Sequence, residues 1–138
     1  MTNSTCLACV SALLLTLLSD TQAFASPAAL TIKNQSNLKV ACAHVTLVEG
    51  RWETYQWVVI ENGKSAQMKA VYYAHCEELG GQGPIWSDGE THKFCVSGKK
   101  YVNPIYDSDK AGTCQAIEGI MADFKHIPGS AYTWTLKL

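Results

Sequence analysis

Apolar and polar residues alternate with period two through Tyr132-Thr133-Trp134-Thr135-Leu136-Lys137-Leu138, which predicts a strand with one buried face running to the last residue. The same reading predicts strands over Ala29 to Lys33 and Leu38 to Val48, separated by a polar turn at Asn34-Gln35-Ser36-Asn37. Trp52 to Ile60 is rich in aromatic and β-branched residues and predicts another strand. Asn62-Gly63 follows it, a dipeptide that tolerates positive φ at both positions, so a hairpin is expected with Lys64 to Tyr73 as the return strand. Gly80-Gly81-Gln82-Gly83-Pro84 sustains no regular structure and reads as a loop between the two halves of the chain.

Beyond that loop, His92 to Val96 predicts a short strand and Ser97 to Lys100 a turn. Tyr101 to Tyr106 predicts an extended piece that Pro104 confines to a sheet edge. Asp107 to Gly112 reads as a polar loop, and Met121 to Ile127 can extend. Only Ala111 to Phe124 has any case for a helix, and Gly112, Gly119 and its β-branched residues argue against one. Many short strands between turn signals predict an all-β domain, a small antiparallel sandwich or a barrel-like domain.

The N-terminus follows different rules. Met1 to Ala25 carries an apolar run from Cys9 to Leu18, too short to span a bilayer, followed by Ala23-Phe24-Ala25, which fits the small-x-small cleavage pattern. Residues 1–25 therefore predict a signal peptide cut after Ala25, atypical in having no Lys or Arg, and residues 26–138 a single mature domain. Asp20 leaves with the signal, so the 11 basic side chains of the mature part face 11 acidic ones. That neutral balance argues against nucleic acid and against anionic membrane as partners, since both select for excess positive charge.

Cys6 and Cys9 also leave, and Cys42, Cys76, Cys95 and Cys114 remain. In a short exported chain they predict two disulfides, with three connectivities open. There is no C-x-x-C, and His44, His75, His92 and His126 show no ligand spacing, so neither metal nor other cofactor is expected. Asn34-Gln35-Ser36 is an acceptor sequence for N-glycosylation.

The densest reactive cluster is His75-Cys76-Glu77-Glu78. Adjacent strand residues point to opposite faces, so His75 is badly placed to activate Cys76, and a disulfide-bonded Cys76 has no thiol to activate. Glu49, Glu53, Glu61, Glu77, Glu78, Asp88 and Glu90 offer carboxylates for glycoside chemistry, but nothing sets a pair apart. No nucleophile elbow, zincin motif, phosphate loop or dinucleotide fingerprint occurs.

Aromatic residues are the better candidates. Trp52, Tyr55 and Trp57 share one predicted strand, whose regular alternation would place Trp52 and Tyr55 on opposite faces and expose part of the set. Their rival reading is plain core and edge cover. These features predict a non-enzymatic binding or accessory protein outside the cytoplasm, with a protein or glycan partner. The alternatives are a small hydrolase using carboxylate or histidine chemistry, and a β-sandwich that inserts aromatics into a membrane surface.

Tyr72-Tyr73-Ala74, Trp86-x-x-Gly89 and Phe94-Cys95-Val96, with Cys114 and Phe124 further on, resemble bacterial domain-of-unknown-function family 1036 over most of the mature chain. The family's opening Asn is matched by Asn34, its central strand by Gln56 to Ile60, and the turn after it by Asn62-Gly63-Lys64-Ser65. Two family cysteines are replaced here, by Lys33 and Ser65, while Cys42 and Cys76 stand in the neighbouring strands. The resemblance implies an exported envelope protein without assigned activity. It also implies a pairing of Cys95 with Cys114, as the family's closing pair, and of Cys42 with Cys76, as the exchanged one.

Overall fold

Where each strand ends is set by local turn chemistry, and which strands pair is set by what the ends of the chain can reach. The computed structural model describes residues 26–99 and 103–138. The expected signal peptide and its cleavage after Ala25 thus lie outside the described residues, as does Tyr101. The described strands are β1 (Ala28–Asn34), β2 (Val40–Val48), β3 (Arg51–Ile60), β4 (Ser65–Val71), β5 (Tyr73–Glu78), β6 (Ile85–Trp86), β7 (Thr91–Val96), β8 (Ile105–Tyr106), β9 (Ile120–His126) and β10 (Ser130–Leu136). One short helix, α1 (Ala111–Ala116), stands between β8 and β9. The domain is mostly β, as the period-two pattern predicts.

Two sheets share these strands. The smaller has the order β10-β1-β4, with β1 and β10, the first and last described strands, running parallel. The larger has the order β7-β9-β5-β2-β3-β8, and β6 adds to β5. Alternate residues of β1, Ala28, Leu30 and Ile32, point at the larger sheet and pack with Val40, Ile60, Met68, Val71, Ile127, Trp134 and Leu136. This is the sandwich core, and burying each large aliphatic side chain there contributes about 1.5–3 kcal/mol.

The larger sheet curls so that its opposite face encloses a second core of Ala43, Val45, Phe94, Val96 and Phe124, flanked by Trp52, Trp57 and Tyr73. The curl is closed by backbone from the β8–α1 turn. Ser108 N–H donates to the Trp52 carbonyl of β3 at 3.0 Å, and the Ser108 carbonyl accepts from Cys95 N–H of β7 at 2.7 Å. The result is a curled sandwich, half-barrel on one side.

Two expectations are corrected. Asn62-Gly63 does make a turn, with Lys64 N–H donating to the Glu61 carbonyl at 3.1 Å, but β4 pairs with β1 and not with β3. A type I′ hairpin needs positive φ at both central residues, and here only Gly63 has it, at 75°. One edge of β3 is taken along its length by β2 and the other only at Glu53 and Thr54 by β8, while Met68 and Val71 of β4 belong to the sandwich core. The tight hairpin lies one strand earlier, between β2 and β3, where Glu49 and Gly50 have φ of 50° and 76° and Val48 faces Arg51.

The second correction is α1, which takes the end of the expected Asp107–Gly112 loop and the start of the doubtful helical segment. It has no side-chain N-cap. Packing holds it, through Cys114 and a small cluster with Ile105, Ile117 and Met121. Intrinsic helix propensity is poor in this segment, and a covalent tether overrides it.

The disulfides are Cys42–Cys76, between neighbouring strands β2 and β5, and Cys95–Cys114, between β7 and α1. This is the pairing that the family resemblance implied. Gly119 is required beside the second bond, because a Cβ there would lie 2.7 Å from Cys95 Sγ and 2.9 Å from Cys114 Sγ. Pro104 stands just before β8, which is an edge strand as expected.

Asn34 is buried at 1 % exposure and uses all its polar capacity. Its Nδ2 donates to the Leu38 and Ile60 carbonyls at 2.7 and 2.9 Å, and its Oδ1 accepts from Ser36 N–H and Oγ–H. The expected glycosylation acceptor is therefore sealed in this fold, with its amide nitrogen committed to the β1–β2 turn.

Candidate functional site

Strands β5 and β9 start as neighbours and then part. Their ladder covers only Tyr73 with His126 and Ala74 with Lys125, after which β6 takes over the same edge of β5 at Cys76 and Glu77. At the split the side chain of His75 replaces the lost ladder bond, with Nδ1 2.9 Å from the Asp123 carbonyl of β9. A carbonyl only accepts, so Nδ1 carries a proton. His75 is 1 % exposed, stacks on Phe124 at 5.3 Å, and turns Nε2 to Glu77 Oε2 at 2.9 Å. Two acceptors cannot face each other there, so one proton sits between Nε2 and Oε2.

Glu77 shares a face with His75 because strand side chains repeat every two residues. Its other oxygen, Oε1, accepts from Lys99 Nζ. Burial alone would raise the Glu77 carboxyl, but hydrogen bonds and charge from His75 and Lys99 outweigh it and hold the group below its ordinary 4.5. Lys99 Nζ also lies over the Trp57 ring, 4.5 Å from its centroid. Around this chain of contacts opens a concave mouth of about 220 Å³, further lined by Val96, the Ser97–Gly98 backbone, Glu118 and Ile120.

A bulge in β3 aims Trp57 into the mouth. Cys42 faces Val58 and His44 faces Tyr55, so Gln56 and Trp57 together oppose the single residue Ala43. The extra residue reverses the alternation, and both bulge residues then clamp the end of β7. Trp57 Nε1–H donates to the Ser97 carbonyl at 3.0 Å, and Gln56 Oε1 accepts from Ser97 N–H at 2.9 Å.

The three aromatic candidates therefore do not form one patch. Trp52 packs half-buried in the second core against Tyr72, Tyr73 and Phe94. Tyr55 lies on the opposite face, stacked on His44 with centroids 5.5 Å apart, and its hydroxyl donates to Glu53 at 2.7 Å. That bond, before burial, pushes the phenol up to about 12 and keeps it a neutral donor. Trp57 alone reaches a concave surface.

The His75-Cys76-Glu77-Glu78 cluster divides in the same way. Cys76 points into the sandwich core as half of a disulfide. Glu77 lines the mouth with His75 buried behind it, and Glu78 is held low by the backbone N–H of Gly80 and its neighbours in the glycine loop, including Gln82 N–H at 3.2 Å. The i, i+2 spacing of His75 and Glu77 puts them on one face only once β5 is known, and no strand was expected over residues 74–78. Lys99 and the parting of β9 carried no local signal. Among the described residues no group of His, Cys, Asp and Glu is arranged to hold a metal ion, and no helix is long and apolar enough to cross a membrane.

No family model, curated protein or solved structure matches the chain.

Proposed function

We propose that the protein is exported, oxidised to its two-disulfide form outside the cytoplasm, and works there as a binding or accessory protein, with the mouth between β5 and β9 as its recognition site. The observation that carries this reading is the Trp57–Lys99–Glu77 arrangement, an aromatic face and two charged groups gathered round one concavity. Polar groups converging beside an apolar ring in one hollow are what fix a ligand's orientation in a small recognition site. The two disulfides support an oxidising compartment. The resemblance to family 1036 fits the same reading, of an envelope protein with a protein or glycan partner.

Binding is favoured over hydrolysis because the chemical groups at the site are already committed. His75 has both ring nitrogens engaged and almost no exposure, so it is badly placed to take a proton from a substrate. Cys42, Cys76, Cys95 and Cys114 hold no free thiol. The test is capture of envelope or medium components by the exported, tagged protein, with identification by mass spectrometry. Trp57→Ala should weaken capture by about 1 kcal/mol or more, whereas Tyr55→Ala, on the other face, should leave it unchanged. Equal loss in both variants would remove the mouth as the recognition site, and a turnover abolished by Glu77→Gln would replace binding with hydrolysis.

A further inference from the structure

If the mouth is the recognition site, its chemistry narrows the ligand class. A ring face attracts any cation, but a carboxylate oxygen beside that face adds a demand for a hydrogen-bond donor. Trp57 and Glu77 present both, converging on one point that Lys99 Nζ already occupies. The carboxylate is built in. Its second oxygen is held by His75, itself buried and anchored to the Asp123 carbonyl, so Oε1 cannot swing away from the mouth. Glu118 adds a further acidic side chain to the lining.

Lys99, by contrast, is only loosely tied. It lies past the end of β7, and its side chain keeps 30 % of its exposure. Partly exposed ion pairs and cation–π contacts are individually weak, so a tethered lysine can be displaced by another ammonium group.

We infer that the Trp57–Glu77 pair is a subsite for a primary ammonium, the end of a lysine side chain on a partner polypeptide, and that Lys99 is an internal occupant which such a ligand displaces. A quaternary ammonium can use the ring but has no hydrogen to donate to Oε1. A neutral chain of the same shape can use neither. The ring, the locked carboxylate and the hollow beside them match a lysyl end, and Lys99 shows the pose.

The experiment titrates the exported protein with Nα-acetyl-lysine methylamide, with its norleucine counterpart and with tetramethylammonium. The readout is the indole N–H resonance of Trp57, assigned by its absence in Trp57→Phe. The lysine probe should bind, tetramethylammonium more weakly, and norleucine not at all. Lys99→Gln should bind the lysine probe about tenfold tighter than the unaltered protein, since the internal competitor is gone. Adding Glu77→Gln to Lys99→Gln should cancel that gain. Lys99→Ala supplies a second displacement variant, and near-ultraviolet circular dichroism checks that each keeps the packed aromatic core.

Norleucine binding as well as lysine, or no tightening in either Lys99 variant, would overturn the subsite. If capture of the natural partner still falls in Trp57→Ala while the lysine probe gives no shift, the ammonium assignment fails alone. If capture is indifferent to Trp57, the recognition reading fails first.

Discussion

The β2–β5 pair buries an imidazole on each of its two faces, and it does so by opposite means. His44 lies on the sandwich side with its Nδ1 buried and unpartnered and its ring stacked on Tyr55. Burial there drives it down from 6.5 to about 4, so at neutral pH it is an uncharged ring packed as an apolar group. His75 lies on the concave side and is more deeply buried, yet both its nitrogens are engaged, one by a backbone carbonyl and one by Glu77. The first histidine is tolerated by losing its charge. The second is stabilised by partners that reach out through Glu77 and Lys99 to the surface. The sandwich side is thus a packing layer, and the concave side connects its interior to a mouth.

The heaviest perturbation should fall on both sides together. Cys42–Cys76 belongs to the sandwich core, and Cys95–Cys114 ties α1 to the rim of the curl. With sequence separations of 34 and 19, they contribute about 4 and 3 kcal/mol in the chain-entropy model. Reduction should therefore move the denaturant midpoint by an amount close to the whole stability of a small domain, with sandwich and curl unfolding in one transition. Two separate transitions, followed by Trp fluorescence and far-ultraviolet circular dichroism, would show that the two sides fold apart.

Leu136→Ala should sharpen the contrast. Leu136 is fully buried in the sandwich core, and its truncation should cost about 3 kcal/mol in urea denaturation while leaving the Trp57 indole resonance in place. A moved Trp57 signal would mean that the packing layer and the mouth are mechanically coupled.

Acid acts on the imidazole of the sandwich side, His44. Because the pKa of His44 is lower folded than unfolded, the unfolded chain binds the extra proton. Its contribution is complete above 6.5 and is lost as pH falls from there toward 4. Between pH 7 and pH 5 this amounts to about 2 kcal/mol, so denaturation midpoints of the native protein should fall across that range and those of His44→Phe should fall much less. Glu77 acts lower down. Its carboxyl is depressed below 4.5, so its contribution is present above that value and is lost only as pH drops beneath it.

Glu77→Gln should be the mildest change. A glutamine amide can donate to His75 Nε2 in place of the shared proton, and the lost Lys99 pair is partly exposed, so the cost in stability should stay under about 1 kcal/mol. The Trp57 resonance should nonetheless shift, because Lys99 loses its anchor over the ring. A large loss of stability without that shift would make Glu77 a structural residue rather than part of a recognition site.

Local chemistry along the chain was enough to mark out most strands, the glycine loop, the edge position of β8 and the four cysteines available for stapling, but not β5 and β6, which lie beyond Tyr73 where no strand was expected. Alternation and turn propensity act over a few residues, and those features need nothing more. It was not enough to say which strands meet. The Asn62-Gly63 turn has hairpin composition, but β4 crosses to β1 because its apolar residues Met68 and Val71 complete the sandwich. Nor does composition place β10 parallel to β1, since that contact joins strands about a hundred residues apart in sequence.

The mouth was legible only in part. His75 and Glu77 share a face once β5 is known to be a strand, and Trp57 stands out as an aromatic. The bulge that turns Trp57 inward, the departure of β9 that leaves His75 to bridge the gap, and the reach of Lys99 to Glu77 are decided by closure of the curled sheet. Residues two apart on a strand can be matched from sequence because backbone geometry holds them together. Residues on strands that meet only when a sheet curls are matched by the tertiary structure alone.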